Sequence, residues 1–192
     1  DWTSGVTGNS TAMTDIGANN YCDNTLLDDA TWCDAICNST YFESVLNVKV
    51  PTMTSDTTPG GVCSASSAYD ANHGAWKAFD GNNETYWNSQ NKATDDWIQY
   101  QFTNPVNVRN ISLMRYVGNE ADFSTFSLYV GNSVDSLTKI GDFTSSAIVD
   151  YTTEDFILSN SNSYTIYRLE SQASSGRYSV IRELQFYGRQ DV

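Results

Sequence analysis

The chain has little of what many catalytic and nucleic-acid-binding sites need. It contains one histidine, His73, so a two-histidine metal site is excluded and a Ser-His-Asp arrangement is disfavoured. Lys and Arg number 10 against 23 Asp and Glu, which gives a net charge of −13 at pH 7. Nucleic-acid phosphates and anionic lipid surfaces repel a chain of this charge, so neither is an expected partner.

Several other signals are missing as well. No apolar run approaches the length of a membrane-spanning helix, and no signal peptide is visible. There is no glycine-rich phosphate loop and no zinc-type cysteine spacing. Asp95 and Asp96 are adjacent, so on a strand they would point to opposite faces; they are expected to cap the start of the strand and not to pair as glycosidase carboxylates. Because no catalytic group can be identified, the sequence predicts a protein that is not an enzyme.

The chain divides into two parts of different character. In residues 1–60, acids outnumber bases by 8 to 1, and 51–61 reads as a linker. A short helix is predicted near Asp28–Cys37 and a strand over Val45–Val50. Residues 61–192 are rich in aromatic and β-branched residues, which predicts an all-β domain. Its predicted strands are 97–102, 107–116, 125–131, 147–151, 154–158, 164–170 and 179–187.

The four cysteines predict a disulfide-tethered N-terminal extension. Cys22, Cys33 and Cys37 lie in the extension and Cys63 at the start of the β domain. Four cysteines allow three pairings. Cys33 and Cys37 would share one face of the predicted helix, so we expect Cys63 to pair with one of them and Cys22 with the other. Together with few lysines, the cysteines predict an extracellular glycoprotein whose candidate N-glycosylation sites are Asn9, Asn38, Asn83 and Asn110.

One stretch, WKAFDGNNETYW from Trp76 to Trp87, organises the β domain. Aromatic residues bracket a polar loop in which Gly81 allows a positive φ. Such a loop points several oxygens at one centre, as a hard cation such as calcium requires. A hairpin turn without an ion is an equally open interpretation of these residues.

This loop resembles the signature of the discoidin domain, also called the factor V/VIII C-type domain, which is widespread as a carbohydrate-binding module. Three later segments resemble the family in order and spacing: DDWIQYQF, then ISLMRY with FSLYVGNS, then YTIYRLES with YSVIRELQFYG. The resemblance covers roughly residues 61–190. It implies an eight-stranded jelly-roll β-sandwich.

The resemblance also implies a structural calcium ion. By position, Asp80 and Thr85 would supply side-chain oxygens and Glu183 a carboxylate from the last strand. Lys77, Asn82 and Thr85 would supply backbone carbonyl oxygens. The ion would tie the early loop to the C-terminal strand.

In the family, the glycan site lies in loops at one end of the sandwich. The matching positions here are His73, Asn88, Asn119, Arg177 and Tyr178. Galactose-binding members often have His where this chain has Asn88, so a galactose-type site is not expected. A neutral glycan is expected, since an acidic polysaccharide would be repelled.

The sequence therefore predicts a non-enzymatic extracellular binding or adhesion module that recognises carbohydrate and holds calcium. The alternative is a structural subunit of an extracellular filament, coat or appendage. In that case the N-terminal extension would contact neighbouring subunits, and the surface would carry glycans. The path of residues 1–60 relative to neighbouring copies distinguishes the two hypotheses.

Overall fold

The computed structural model describes residues 48–118, 120–172 and 176–190. The predicted helix at 28–37, the start of the predicted strand at 45–50, and Asn119 lie outside these ranges. So do Cys22, Cys33, Cys37, Asn9 and Asn38. The expectations for these residues stay predictions.

The described residues form nine β-strands and two single-turn 3-10 helices, Ala71–His73 and Ala75–Ala78. No helix among them is long and apolar enough to cross a membrane. The all-β prediction is confirmed, although the described strands number nine and the prediction was eight. The strands are β1 Val48–Lys49, β2 Val62–Ala65, β3 Trp87–Asn88, β4 Trp97–Arg115, β5 Thr125–Gly131, β6 Thr138–Thr144, β7 Glu154–Ile157, β8 Tyr164–Ser171 and β9 Val180–Arg189.

The long strand β4 joins the two layers of the sandwich, and every strand pairing is antiparallel. Its first half pairs with β2 and β8, and β8 continues to β5 and β6. Its second half pairs with β7 on one side and β9 on the other, and β9 also pairs with β1 and β3. The ladder to β8 shifts register between Gln101 and Val106, around Pro105, which has no N–H to donate. The two halves of β4 thus belong to different sheets.

The core between the layers is built largely from aromatic rings. Alternate residues of β4 and β5, such as Ile98, Tyr100, Phe126 and Leu128, are buried, as period-2 alternation requires. The hydroxyl of buried Tyr167 donates to the Val106 carbonyl and accepts from the Val108 N–H at 3.2 Å. Burial raises the pKa of Tyr167 to about 12.

The segment predicted as a linker is part of the sandwich. The compact unit begins at Val48, before the predicted boundary at residue 61. Val48 pairs with Gly188, and the Met53 side chain is 1% exposed in the core. The Val50 N–H donates to Gln185 Oε1 at 2.7 Å. The Pro and Gly residues of 51–61 therefore mark turns within the unit.

Two strand predictions were wrong. Residues 138–144 form the edge strand β6, which was not predicted, whereas 147–151 form a loop. The loop begins where Arg115 Nε donates to Ser145 Oγ at 2.9 Å and the Ser146 N–H donates to Glu154 Oε1 at 2.8 Å. At the start of this loop, these side-chain hydrogen bonds stand where a strand would have backbone hydrogen bonds to a neighbouring strand.

Cys63 was predicted to form a disulfide. Cys63 is a buried free thiol, and burial raises its pKa. Its expected partners lie outside the described residues, so the disulfide is not confirmed.

Asn110, a predicted glycosylation site, is 4% exposed within β4, and its amide donates to Asp155 Oδ1 at 3.1 Å. An attached glycan has no room there, which argues against Asn110 as a glycosylation site, whereas Asn83 is exposed.

Candidate functional site: a tyrosine-lined cavity beside an acidic loop

A cavity of about 310 Å³ opens where β3, the end of β4 and the start of β9 meet. Trp87 in β3 is fully buried, so its neighbours Tyr86 and Asn88 point away from the core, towards the cavity. Tyr116 follows β4, and Val180 begins β9. The residues that line the cavity are Tyr86, Asn88, Tyr116, Glu120, Ala121, Tyr178 and Val180.

Aromatic rings dominate the wall and the rim of this cavity. The rings of Tyr86 and Tyr116 lie 5.6 Å apart, centroid to centroid. Behind Tyr86, the ring of His73 lies 4.8 Å away. The exposed Tyr69 makes edge-on contacts with both Tyr178 and His73, each at 5.9 Å. Such rings offer flat apolar faces with polar edges, which suit the faces and hydroxyl groups of a sugar ring.

The polar groups of the cavity are few, and one of them lacks a partner. Asn88 Oδ1 is buried and has no hydrogen-bond partner in the structure. A buried polar atom without a partner is uncommon in folded proteins. At the rim, Lys92 Nζ lies 3.1 Å from Glu120 Oε2 and 4.9 Å from the centre of the Tyr178 ring.

The structure brings together some of the residues predicted for the glycan site. Asn88 and Tyr178 line the cavity. His73 stands behind Tyr86, and its Nδ1 lies 2.6 Å from Asp70 Oδ1, so that the hydrogen bond lowers the pKa of Asp70. Arg177 is exposed on the adjoining loop and is not among the lining residues described.

Tyr86 and Glu120 are lining residues that were not among the predicted site residues. Tyr86 could have been found, because it directly precedes the buried Trp87 of β3, and neighbouring side chains of an extended chain point to opposite sides. Glu120 had no comparable signal, since it lies in an irregular loop.

The polar loop of residues 79–85, called the acidic loop here, contains the turn that its glycine predicts. Gly81 has φ +69°, which confirms the expected left-handed turn. Thr85 Oγ1 lies 2.9 and 2.8 Å from the two carboxylate oxygens of Asp80 and 2.9 Å from the Asn82 carbonyl oxygen. Lys77 Nζ lies 3.4 Å from Asp80 Oδ2.

Glu183 of β9 lies against this loop. Burial, with the nearby Asp80 carboxylate, raises the pKa of Glu183 to about 7. Glu183 Oε1 is buried without a hydrogen-bond partner. The described residues contain no group of three or more His, Cys, Asp and Glu side chains suited to a metal ion. The Asp80 carboxylate, the Thr85 hydroxyl and the Asn82 carbonyl nevertheless bring oxygen atoms together beside Glu183. The unpartnered Glu183 oxygen fits a hard cation such as calcium.

Arg182 lies between the loop and the cavity. Its Nη1 donates to the Asn83 carbonyl oxygen at 2.8 Å. Its guanidinium carbon lies 4.7 Å from the centre of the Tyr116 ring and 5.8 Å from that of Tyr86. Two bonds to Asp150, of 2.9 and 2.7 Å, neutralise its charge. The side chain thereby connects the acidic loop with the cavity wall.

Solved structures with the same fold are numerous, but no curated protein sequence matches the chain. An F5/8 type C domain from Bacteroides fragilis is 18% identical, with a TM-score of 0.59 over 68% of this chain and 93% of its own. The family 32 CBM of C. perfringens NanJ, in complex with galactose, is 17% identical, with a TM-score of 0.58 over 73% and 99%. Chitosan-binding module 1 from a Paenibacillus sp. IK-5 chitosanase/glucanase is 21% identical, with a TM-score of 0.55 over 67% and 95%.

At these identities the likeness shows a shared fold. The sequence profile of the F5/8 type C domain matches residues 63–184. This match spans more than half of the chain and includes the acidic loop, β4 and the first half of β9. The chain therefore belongs to the F5/8 type C domain family.

Proposed function

We propose that this protein is a non-enzymatic module that binds a glycan in the tyrosine-lined cavity and acts outside the cell. The observation that carries the proposal is the combination of three tyrosine rings with the unpartnered Asn88 Oδ1 in one cavity of about 310 Å³. The rings offer stacking faces, and Asn88 Oδ1 offers an acceptor for a sugar hydroxyl. Extracellular action is supported by the exposed sequon at Asn83.

The similar structures support a carbohydrate ligand without naming it. The chitosan-binding module is named for chitosan, and the NanJ module was solved with galactose; these two ligands differ in charge. For this chain, the net charge of −13 disfavours an acidic polysaccharide. We therefore propose a glycan without acidic groups, consistent with the neutral sugar that the sequence favours.

The test of this function is a glycan array followed by titration with the best ligand. A single shallow site predicts a Kd on the order of 0.1 to 1 mM. The Tyr178→Ala variant should lose about tenfold in affinity, because it removes an apolar contact with one sugar face of about 60 Å², worth roughly 25 cal/mol per Å². Tyr129→Ala, on β5 and away from the cavity, is the control and should bind like the unmodified protein. Binding that survives Tyr178→Ala would place the site elsewhere.

We further propose that calcium binds between the loop 79–85 and β9. The carboxylates of Asp80 and Glu183 would hold it, together with the Thr85 hydroxyl and the carbonyl oxygens of Lys77, Asn82 and Thr85. The proposal is supported by the oxygen atoms brought together beside Glu183 and by its unpartnered Oε1. The ion would cross-link an early loop to the last strand, which is a structural role.

Thermal unfolding with calcium and with a chelator tests this site. An ion that binds only the folded state adds about 2.7 kcal/mol at one hundred times its Kd, so calcium should raise the Tm. Asp80→Asn removes one ligand charge and should abolish most of the shift, whereas Asp135→Asn, in the exposed turn before β6, should not. An equal Tm in calcium and in chelator would contradict the proposed calcium site.

A further inference from the structure

The cavity has an electrostatic feature that sugar binding alone does not require. Among the described residues that line it, Glu120 is the one acidic side chain, and no basic side chain is part of the lining. Glu120 shares the rim with the face of Tyr178. A carboxylate beside an aromatic face is an arrangement that attracts cations, through an ion pair and through the ring quadrupole.

The chain itself places an ammonium group in this position. Lys92 Nζ lies 3.1 Å from Glu120 Oε2 and 4.9 Å from the centre of the Tyr178 ring. Lys92 lies in a loop and is not one of the residues that line the cavity. Its flexible side chain can therefore move away without changing the cavity wall. Lys92 thus shows which chemical group fits between Glu120 and Tyr178.

The basic side chain that packs on the cavity wall, Arg182, does not oppose a second cation there. The guanidinium of Arg182 packs against Tyr86 and Tyr116, but Asp150 binds it through two hydrogen bonds and neutralises it. Over the whole molecule, the charge of −13 attracts positively charged polymers. Local geometry and long-range field therefore favour the same sign of ligand charge.

We propose that the ligand of this cavity carries a protonated amino group, as in an oligosaccharide of glucosamine, and that the amino group displaces Lys92 between Glu120 and Tyr178. The inference rests on the proposed glycan site and adds the charge of its ligand. Glu120 is the residue that sets this specificity, and Lys92 competes with the ligand for it.

The test compares two tetrasaccharides that share a backbone, one of glucosamine and one of N-acetylglucosamine, by calorimetric titration at pH 6 and low salt. The glucosamine tetramer should bind the unmodified protein about fivefold tighter, the gain typical of an exposed ion pair combined with a cation–π contact. Glu120→Gln should remove this preference, so that the variant binds the two tetramers with equal affinity. Lys92→Met should strengthen binding of the glucosamine tetramer only.

Asp135→Asn makes a charge change matched to Glu120→Gln on an exposed turn, and it controls for general attraction between the acidic protein and a cationic sugar. It should leave the preference unchanged. Equal affinity of the unmodified protein for both tetramers, or a preference that survives Glu120→Gln, would overturn the inference. If binding still depended on Tyr178, the proposed glycan site would stand. Failure of the unmodified protein to bind either tetramer or any arrayed glycan would overturn both proposals.

Discussion

At the scale of single residues, Arg182 is a buried charged side chain with several partners. It is 5% exposed, binds Asp150 with two hydrogen bonds and packs on the Tyr151 ring at 4.0 Å. Asp150 in turn accepts from the Val117 N–H at 3.1 Å, next to Tyr116 of the cavity. One buried ion pair therefore holds the loop after β6 against the cavity wall.

Removing one partner of this pair leaves the other charge buried. We expect Asp150→Asn to lower the free energy of unfolding by about 2–3 kcal/mol, somewhat below the cost for a fully buried pair because the Asp150 side chain is 24% exposed. Urea unfolding of Asp150→Asn against Asp135→Asn, whose carboxylate is exposed, measures the effect. Equal midpoints for the two variants would show that the ion pair contributes no net stability.

The same pair gives the stability a pH dependence of known sign. The hydrogen bonds from Arg182 lower the pKa of Asp150 in the folded protein. A carboxylate with a depressed folded pKa stabilises the fold fully above its unfolded pKa and loses that contribution as the pH falls through the folded value. We expect the unmodified protein to lose more stability than Asp150→Asn between pH 5 and pH 2. Parallel stability curves over this range would contradict the assignment.

At the scale of elements, the segment between β1 and β2 contributes a buried side chain to the hydrophobic core. Met53 is 1% exposed, and its N–H donates to the Phe79 carbonyl oxygen at 2.9 Å, beside the acidic loop. Met53→Ala should cost about 2–5 kcal/mol, the usual price of truncating a buried side chain. Val62→Ala, at a 40% exposed position of β2, is the control and should cost far less. A negligible effect of Met53→Ala would restore the linker interpretation.

The sequence predicted those elements whose own residues determine them. The bounds of β5 were predicted correctly, because apolar residues alternate through 125–131, and the turn at Gly81 followed from its glycine. Residues 147–151 were predicted as a strand, but the loop begins at Ser145, which accepts a hydrogen bond from Arg115, 30 residues earlier in the chain. Glu120 was missed for the same reason, since only the fold brings it to Tyr178.

At the scale of the whole molecule, the excess of acids should affect the stability of the fold. The chain carries 23 Asp and Glu against 10 Lys and Arg. The few described ion pairs include Lys139 with Asp142 on the surface, and exposed pairs of this kind contribute little. Mutual repulsion among the remaining carboxylates should therefore destabilise the folded state at low ionic strength.

This repulsion predicts that sodium chloride stabilises the protein. Raising the salt from about 0.01 M to about 1 M shortens the Debye length from about 30 Å to about 3 Å, so repulsion between surface carboxylates is screened and the Tm should rise. The buried pair of Arg182 and Asp150 is screened much less and should not offset the gain. Calcium chloride at matched ionic strength should raise the Tm further, through the loop at Asp80. In Asp80→Asn, the sodium chloride effect should remain and the additional calcium effect should vanish. A Tm that falls with sodium chloride would mean that attractive ion pairs outweigh the net charge.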